Sequence, residues 1–211
     1  MLTAEMRDSL LSLSTPMLSD AMGQLGLSET HLDNSIRPLV PYSKMVGTAV
    51  TVRLVSEKND DPRALRPLVR AYETQSDTSW AIMVIEVPTD LHRYGIFGDG
   101  AATMARTHGF VGALVDGALR DTAELQATGF PVFSRTIAPA SMLGKASVAE
   151  VGGTVVAGGQ KIRAGDVVVA DNNGVLIIPP EKAMDIVTRA AAIDAWEVAH
   201  NKLLSQGKTH D

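Results

Sequence analysis

The chain has 211 residues, a net charge of -5 and no cysteine, and 45% of its residues are hydrophobic. This length and composition predict a single domain over residues 1–211 with a sizeable core. The acidic balance argues against nucleic acid as a partner, because phosphate binding needs a basic face. The lack of cysteine excludes disulfides and thiolate chemistry.

No run approaches the ~20 apolar residues of a membrane span. Acidic residues interrupt the apolar N-terminus, so we expect no signal peptide, no membrane partner and a cytoplasmic location.

The N-terminal quarter predicts two helices and a strand. Apolar residues at helical spacing predict a helix over 3–13. A second helix is expected over 14–26, because Ser-Thr-Pro is a typical start and two glycines follow. Ser19 and Asp20 would lie on its solvated face. The β-branched run over 45–55 predicts a strand.

The middle of the chain alternates between strands and helices. After a predicted helix over 64–73, the order is strand 80–87, loop 88–97, helix 100–108, strand 111–115, helix 121–128 and strand 130–134. Such alternation predicts parallel β-α-β units, and by itself it favours a doubly wound sheet. Short apolar runs separated by glycine turns then predict a β-meander over 152–180. A long helix is expected over 181–205.

The most informative stretch is 98–121, which reads GDGAATMARTHGFVGALVDGALRD. Asp99 begins a predicted helix, and Arg120 and Asp121 lie where a strand gives way to the next helix. In open α/β folds this edge is where ligands bind. Carboxylate oxygens suit Mg²⁺, which takes few protein ligands, and arginine matches a carboxylate with a planar fork of donors. With the free amides of a helix N-terminus, the stretch predicts a site for a small 2-oxo acid.

Each of these residues also has a structural interpretation. Asp121 and Glu124 fit a capping box, and Asp99 has the character of a helix cap. Arg120 would then be a surface residue, and Asp116, followed by glycine, would shape a tight turn. Other catalytic patterns are missing from the sequence: the stretch has no GxGxxG and no lysine for a Schiff base, and the five histidines lack metal-ligand spacing.

The pattern Gly-Asp, an alanine-rich helix and then GxxGxxxDGxxRD resembles the class II 4-hydroxy-4-methyl-2-oxoglutarate aldolases, a family that includes regulator of ribonuclease activity A. The segments SDAMGQLG, MVGTAVTVR, GFPVFSR and AGDVVVADNNGVLIIP are similar to family segments too, so the resemblance covers most of the chain. It implies an α/β fold with a swivelling β/β/α-type core, in which flanking helices cover mixed β-sheets. It also implies a homotrimer or a dimer of trimers, which is a homohexamer.

The resemblance further implies a divalent metal, Mg²⁺ or Mn²⁺, held by Asp121 and waters. Arg120 would bind the pyruvyl part of the substrate and stabilise its enolate. Asp99 would orient metal-bound water as a catalytic residue. Many relatives have glutamate at this position, and the reach of Asp99 is one methylene shorter.

The remaining implied site residues lie at the start of the central helix and near the C-terminus. Gly98, Gly100 and Ala101 would contact the substrate, and the amides of Gly100 and Ala101 would receive its carboxylate. Glu197 would be a catalytic acid that reaches the site of a neighbouring subunit. Alternatively, Glu197 is a solvent-exposed residue of a long helix and has no catalytic role.

The activity implied by the resemblance is metal-dependent cleavage of 4-hydroxy-2-oxo acids, such as 4-hydroxy-4-methyl-2-oxoglutarate, with release of pyruvate. Oxaloacetate decarboxylation is an expected side activity, because it also passes through pyruvate enolate. The alternative is a non-catalytic regulator that binds and inhibits a ribonuclease, since the inhibitory members of the family keep the Arg-Asp pair.

Overall fold

The computed structural model describes residues 2–58, 71–72 and 80–207. The helices are α1 Ala4–Ser12, α2 Thr15–Gln24, α3 Asp99–Thr107, α4 Thr122–Thr128 and α5 Ala183–Ser205. The strands are β1 Arg37–Pro38, β2 Met45–Ser56, β3 Ala81–Glu86, β4 Gly95–Phe97, β5 Gly112–Leu119, β6 Val132–Ile137, β7 Ala146–Val151, β8 Thr154–Ala157, β9 Gln160–Arg163, β10 Val167–Asp171 and β11 Gly174–Ile178. Most of the helix predicted over 64–73 lies outside the described residues, although Ala71 and Tyr72 are helical.

The main sheet has mixed strand directions. Its order is β1-β6-β5-β3-β2-β10-β11, with β4 beside β5 and β7 beside β2. The predicted parallel units are confirmed, because β2, β3, β5 and β6 pair in parallel. A doubly wound sheet is wrong, since β10, β11, β7 and β1 join the sheet antiparallel. The architecture is therefore mixed α/β.

Central strand β3 is buried on both faces, which explains the apolar run AIMVI that precedes Glu86 at its end. Met83 and Ile85 belong to one apolar cluster, and Ile82 and Val84 belong to another on the opposite face. A third cluster joins α1, α2 and α5 to the β10–β11 end of the sheet. The helices predicted over 3–13, 14–26 and 181–205 are confirmed, and the sheet provides the apolar surface that each one covers.

The turn predicted at Asp116 is wrong, because β5 continues through Asp116 and Gly117. The carboxylate of Asp116 accepts hydrogen bonds from the Arg135 guanidinium and, at 3.0 Å, from the Gly158 amide. Gly117 leaves room for Val87, whose side chain would lie 2.9 Å from an added Cβ. These long-range contacts stabilise a strand where the local Asp-Gly signal favours a turn.

The other differences concern short strands. The predicted loop over 88–97 contains β4, and β7 precedes the predicted meander. The meander itself is two separate hairpins, β8–β9 and β10–β11, and β10 pairs with β2 rather than with β9. Among the described residues, none of the helices is both long enough and apolar enough to cross a lipid bilayer.

Candidate active site

Two strand ends and two helix starts meet at one edge of the sheet. The amide of Arg120, just after β5, donates to the carbonyl of Phe97 at the end of β4, with an N–O distance of 3.0 Å. Helix α3 begins at Asp99 and α4 begins at Thr122. The structure therefore brings the stretch around Asp99 to the Arg120–Asp121 pair, as expected for the carboxyl ends of parallel strands.

Gly98 makes this close approach possible. A Cβ added at Gly98 would lie 2.4 Å from Oδ2 of Asp121 and 3.0 Å from Cγ of Arg120. Gly95 has a similar role, because its added Cβ would lie 2.9 Å from Cβ of Arg120. Any side chain at Gly98 would displace the Asp121 carboxylate, so glycine is required here by packing rather than by backbone freedom.

Asp121 adopts a left-handed backbone conformation with φ of 52°. Residues other than glycine visit this region uncommonly. Asp121 precedes α4, but its side chain makes no capping hydrogen bond, so the capping-box interpretation with Glu124 is wrong. Its Oδ1 instead accepts from Nε of Arg120 at 3.2 Å. Strained conformations of this kind cluster at functional sites.

The Arg120–Asp121 pair is open to solvent. The two side chains are 38% and 39% exposed, so the ion pair contributes little to stability. The same exposure leaves both groups within reach of a ligand. Only Nε of Arg120 is engaged within the described part of the chain, which leaves its two terminal nitrogens as donors.

The N-terminus of α3 faces this pair without a side-chain cap. Its N-cap residue is Gly98, which has no side chain to accept from the first-turn amides. Gly100 is exposed, and Asp99 makes no side-chain hydrogen bond or ion pair within the described ranges. The amides of Gly100 and Ala101 thus lie at the positive end of the helix, where a carboxylate is stabilised.

The donor set can be tested against a divalent metal. No group of three or more His, Asp or Glu side chains forms a metal site among residues 2–58, 71–72 and 80–207. Asp121, the ligand that the resemblance implies, has a partly exposed carboxylate that forms an ion pair with Arg120. Mg²⁺ commonly binds through one or two carboxylates and keeps several waters. The residues present fit such an ion.

Tyr72 lies behind the site and was missed by the sequence analysis. Its hydroxyl donates to the carbonyl of Ala101 at 3.2 Å. Burial raises the pKa of the Tyr72 hydroxyl well above its ordinary value. The sequence around Tyr72 does not predict this hydrogen bond, because the accepting residue lies 29 residues further along the chain.

Asp116 is not part of this site. Its carboxylate is buried and engaged with Arg135 and Gly158. Arg135 also donates to Asp33 and Ser35, at 3.3 and 2.6 Å. Asp116 therefore belongs to a network that connects β5 and β6 with the loop before β1.

Glu197 lies on a different cavity, of about 670 Å³, between α2 and α5. Ser19 and Asp20 of α2 line the same cavity, together with Trp196. The stretch 98–121 contributes none of the lining residues. The predicted catalytic role of Glu197 thus stays a prediction that depends on a second subunit.

The sequence is similar to a known protein family and to proteins from other organisms. The family model described as RraA-like, aldolase/RraA, matches residues 15–177. The chain belongs to the RraA-like family. A Halalkalibacterium halodurans protein with the provisional name 4-hydroxy-4-methyl-2-oxoglutarate aldolase is 33% identical over 196 residues, which cover 92% of this chain and 86% of the relative. A Deinococcus radiodurans protein of the same provisional name is 30% identical over 169 residues, or 80% and 96% of the two chains.

Solved structures share the fold of this chain. Streptomyces coelicolor RraAS2, described as an unusual member of the RNase ES inhibitor RraA protein family, aligns with a TM-score of 0.80. The alignment covers 93% of this chain and 95% of that one at 24% identity. An uncharacterized protein from Pseudomonas syringae aligns with a TM-score of 0.84 and 26% identity, over 99% and 92% of the chains. The fold implied by the resemblance is confirmed.

Proposed function

We propose that this RraA-like protein is a class II aldolase that cleaves 4-hydroxy-2-oxo acids of the 4-hydroxy-4-methyl-2-oxoglutarate type and releases pyruvate. One observation carries the proposal: the exposed Arg120–Asp121 pair, with Asp121 in a strained conformation, packs through Gly98 against an uncapped helix N-terminus. Neither the strain nor the missing cap contributes stability. Binding of an anionic substrate would account for the missing cap, and a role as a metal ligand would account for the conformation of Asp121. The names of two relatives support the same activity.

Asp121 would hold Mg²⁺ or Mn²⁺, with solvent completing the coordination. When bound, this ion supplies a Lewis acid for the 2-oxo group of the substrate. The other residues act on the substrate itself. The terminal nitrogens of Arg120 suit its oxygen atoms, and the Gly100 and Ala101 amides suit its carboxylate.

The cleavage removes the proton of the 4-hydroxyl, breaks the C3–C4 bond and later returns a proton to C3. The 4-hydroxyl loses its proton and becomes a carbonyl, the C3–C4 bond breaks, and its electrons pass into the 2-oxo group to give pyruvate enolate. The enolate then takes a proton at C3. Asp99 would orient the water molecule that accepts the hydroxyl proton, since its carboxylate is otherwise unengaged within the described residues. Arg120 would stabilise the negative charge that develops on the enolate.

The same groups suit oxaloacetate decarboxylation. There the C3–C4 electrons are released by loss of carbon dioxide, and the product is again pyruvate enolate. No proton acceptor is needed for bond cleavage in that reaction. Oxaloacetate is therefore a simple probe for the enolate-stabilising half of the site.

Glu197 would act as a further acid from the neighbouring subunit of a trimer or a dimer of trimers. Glu197 lies on α5 and lines a cavity to which the stretch 98–121 does not contribute, which is compatible with action on another protomer. The alternative function, a non-catalytic regulator of a ribonuclease, is supported by the family description, which names RraA beside aldolase.

Arg120→Lys is expected to lower kcat/KM for pyruvate release by at least about tenfold, because lysine keeps the charge but loses the planar fork of donors. Inhibition by oxalate, which mimics pyruvate enolate, should weaken in parallel. The measurement is steady-state kinetics with an oxalate titration, and Arg37→Lys is a control remote from the site. Unchanged oxalate inhibition in Arg120→Lys would place Arg120 outside the substrate site.

A further inference from the structure

Tyr72 lies along α3 and contacts both of its ends. Its hydroxyl bonds to the Ala101 carbonyl in the first turn. Its ring centroid is 5.5 Å from that of His108, where the helix ends, and 5.5 Å from that of Phe110. The Tyr72 side chain is 3% exposed. Packing therefore fixes its hydroxyl against α3.

Two hydrogen bonds in series connect Tyr72 with the candidate site. The Ala101 carbonyl belongs to the same peptide group as the Ala102 amide, and that amide donates to the Gly98 carbonyl at 3.0 Å. Gly98 is the residue against which the Asp121 carboxylate packs. Hydrogen bonds arranged in a chain polarise and strengthen one another. A change at the Tyr72 hydroxyl is thus transmitted to the first turn of α3.

The hydroxyl stays a donor under ordinary conditions. A tyrosine hydroxyl keeps its proton at neutral pH, and burial raises the pKa of Tyr72 further because it disfavours the charged form. A buried donor that loses its acceptor is costly, and this cost holds the Ala101 carbonyl in place.

We propose that Tyr72 is a positioning residue for the aldolase site, which holds the first turn of α3 where the Gly100 and Ala101 amides receive the substrate carboxylate. This inference rests on the proposed function. Tyr72 acts through the helix and does not touch the substrate. Its loss is therefore expected to weaken binding of the carboxylate more than it slows bond cleavage.

The test is Tyr72→Phe, which removes the hydroxyl and keeps the ring packing. We expect KM for oxaloacetate and the inhibition constant for oxalate to rise about three- to tenfold, as for loss of one hydrogen bond. The kcat should change by less than about twofold, because the groups that stabilise the enolate remain. Measurements use the full chain with Mg²⁺ present.

A matched control separates positioning from general stability. Val155→Ala shortens a buried side chain of β8 in another apolar cluster, and is expected to lower Tm at least as much as Tyr72→Phe while leaving oxalate inhibition unchanged. Unchanged oxalate inhibition in Tyr72→Phe would overturn the inference, as would equal weakening in Val155→Ala. A folded wild-type protein that neither turns over oxaloacetate nor binds oxalate would instead refute the proposed function, and this inference with it.

Discussion

Asp121→Gly is expected to lower pyruvate release by at least about a hundredfold, a loss in the range seen when an essential metal or oxyanion contact is removed. Its Tm should stay close to the wild-type value. The reason is the left-handed φ of 52°, which glycine adopts at no steric cost. The relieved strain offsets the extra flexibility of glycine in the unfolded chain. The Asp121→Gly variant would therefore lose activity without losing stability.

The control for Asp121→Gly is Glu124→Ala, which removes the side chain of the other member of the capping box that the sequence predicts. Asp121 makes no capping bond, so this change should leave both Tm and turnover near wild type. A large loss of stability in both variants, with pyruvate release preserved in Asp121→Gly, would restore the capping interpretation. Calorimetry and a pyruvate assay on the same preparations decide between the two.

Asp121→Gly also tests whether Glu197 acts across subunits. Glu197→Gln should impair turnover by itself. Mixed oligomers of the two variants would pair an intact Asp121 with an intact Glu197 at some interfaces. Recovery of activity after subunit exchange supports a shared site. No recovery, with exchange demonstrated, would count against it.

Gly98→Ala is expected to be the second most damaging change. The new Cβ would lie 2.4 Å from Oδ2 of Asp121, so the carboxylate must move. A displacement of about 1 Å can cost on the order of a hundredfold in rate. Overpacking should also lower the free energy of unfolding by about 1–3 kcal/mol. Kinetics and denaturant unfolding measure the two effects.

Gly23→Ala in α2 is the matched control, because an added Cβ there meets nothing within 4 Å. It should raise stability slightly, since alanine favours a helix over glycine by about 0.5–1 kcal/mol. Its turnover should equal that of the wild type. Wild-type turnover in Gly98→Ala would show that the Asp121 carboxylate does not need its observed position.

Strong local patterns account for the parts of the fold that the sequence predicts. The β-branched run of β2, the apolar run of β3 and the Ser-Thr-Pro start of α2 each favour one structure whatever surrounds them. Strong local patterns on either side also predict correctly that Arg120 and Asp121 lie between a strand and a helix. The grouping of Asp99 with Arg120 followed from parallel strand order, which the alternation of elements predicts.

Long-range contacts explain what the sequence could not provide. Asp116 followed by glycine favours a turn locally, but the Arg135 guanidinium, 19 residues away, stabilises Asp116 inside a strand. The capping box at Asp121 failed because Gly98 and Arg120 set the position of its carboxylate. The Tyr72 contact depends in the same way on tertiary structure.

The proposed function requires that the edge formed by Arg120, Asp121 and the start of α3 is a metal-dependent pyruvate-enolate site. We would measure pyruvate release from oxaloacetate and from 4-hydroxy-4-methyl-2-oxoglutarate by the wild-type protein, after treatment with EDTA and again after addition of Mg²⁺ or Mn²⁺. We expect release to stop with EDTA, to return with either ion, and to be inhibited by oxalate. A folded protein, supplied with both ions, that releases no pyruvate from either substrate would refute the aldolase function and favour the non-catalytic regulator.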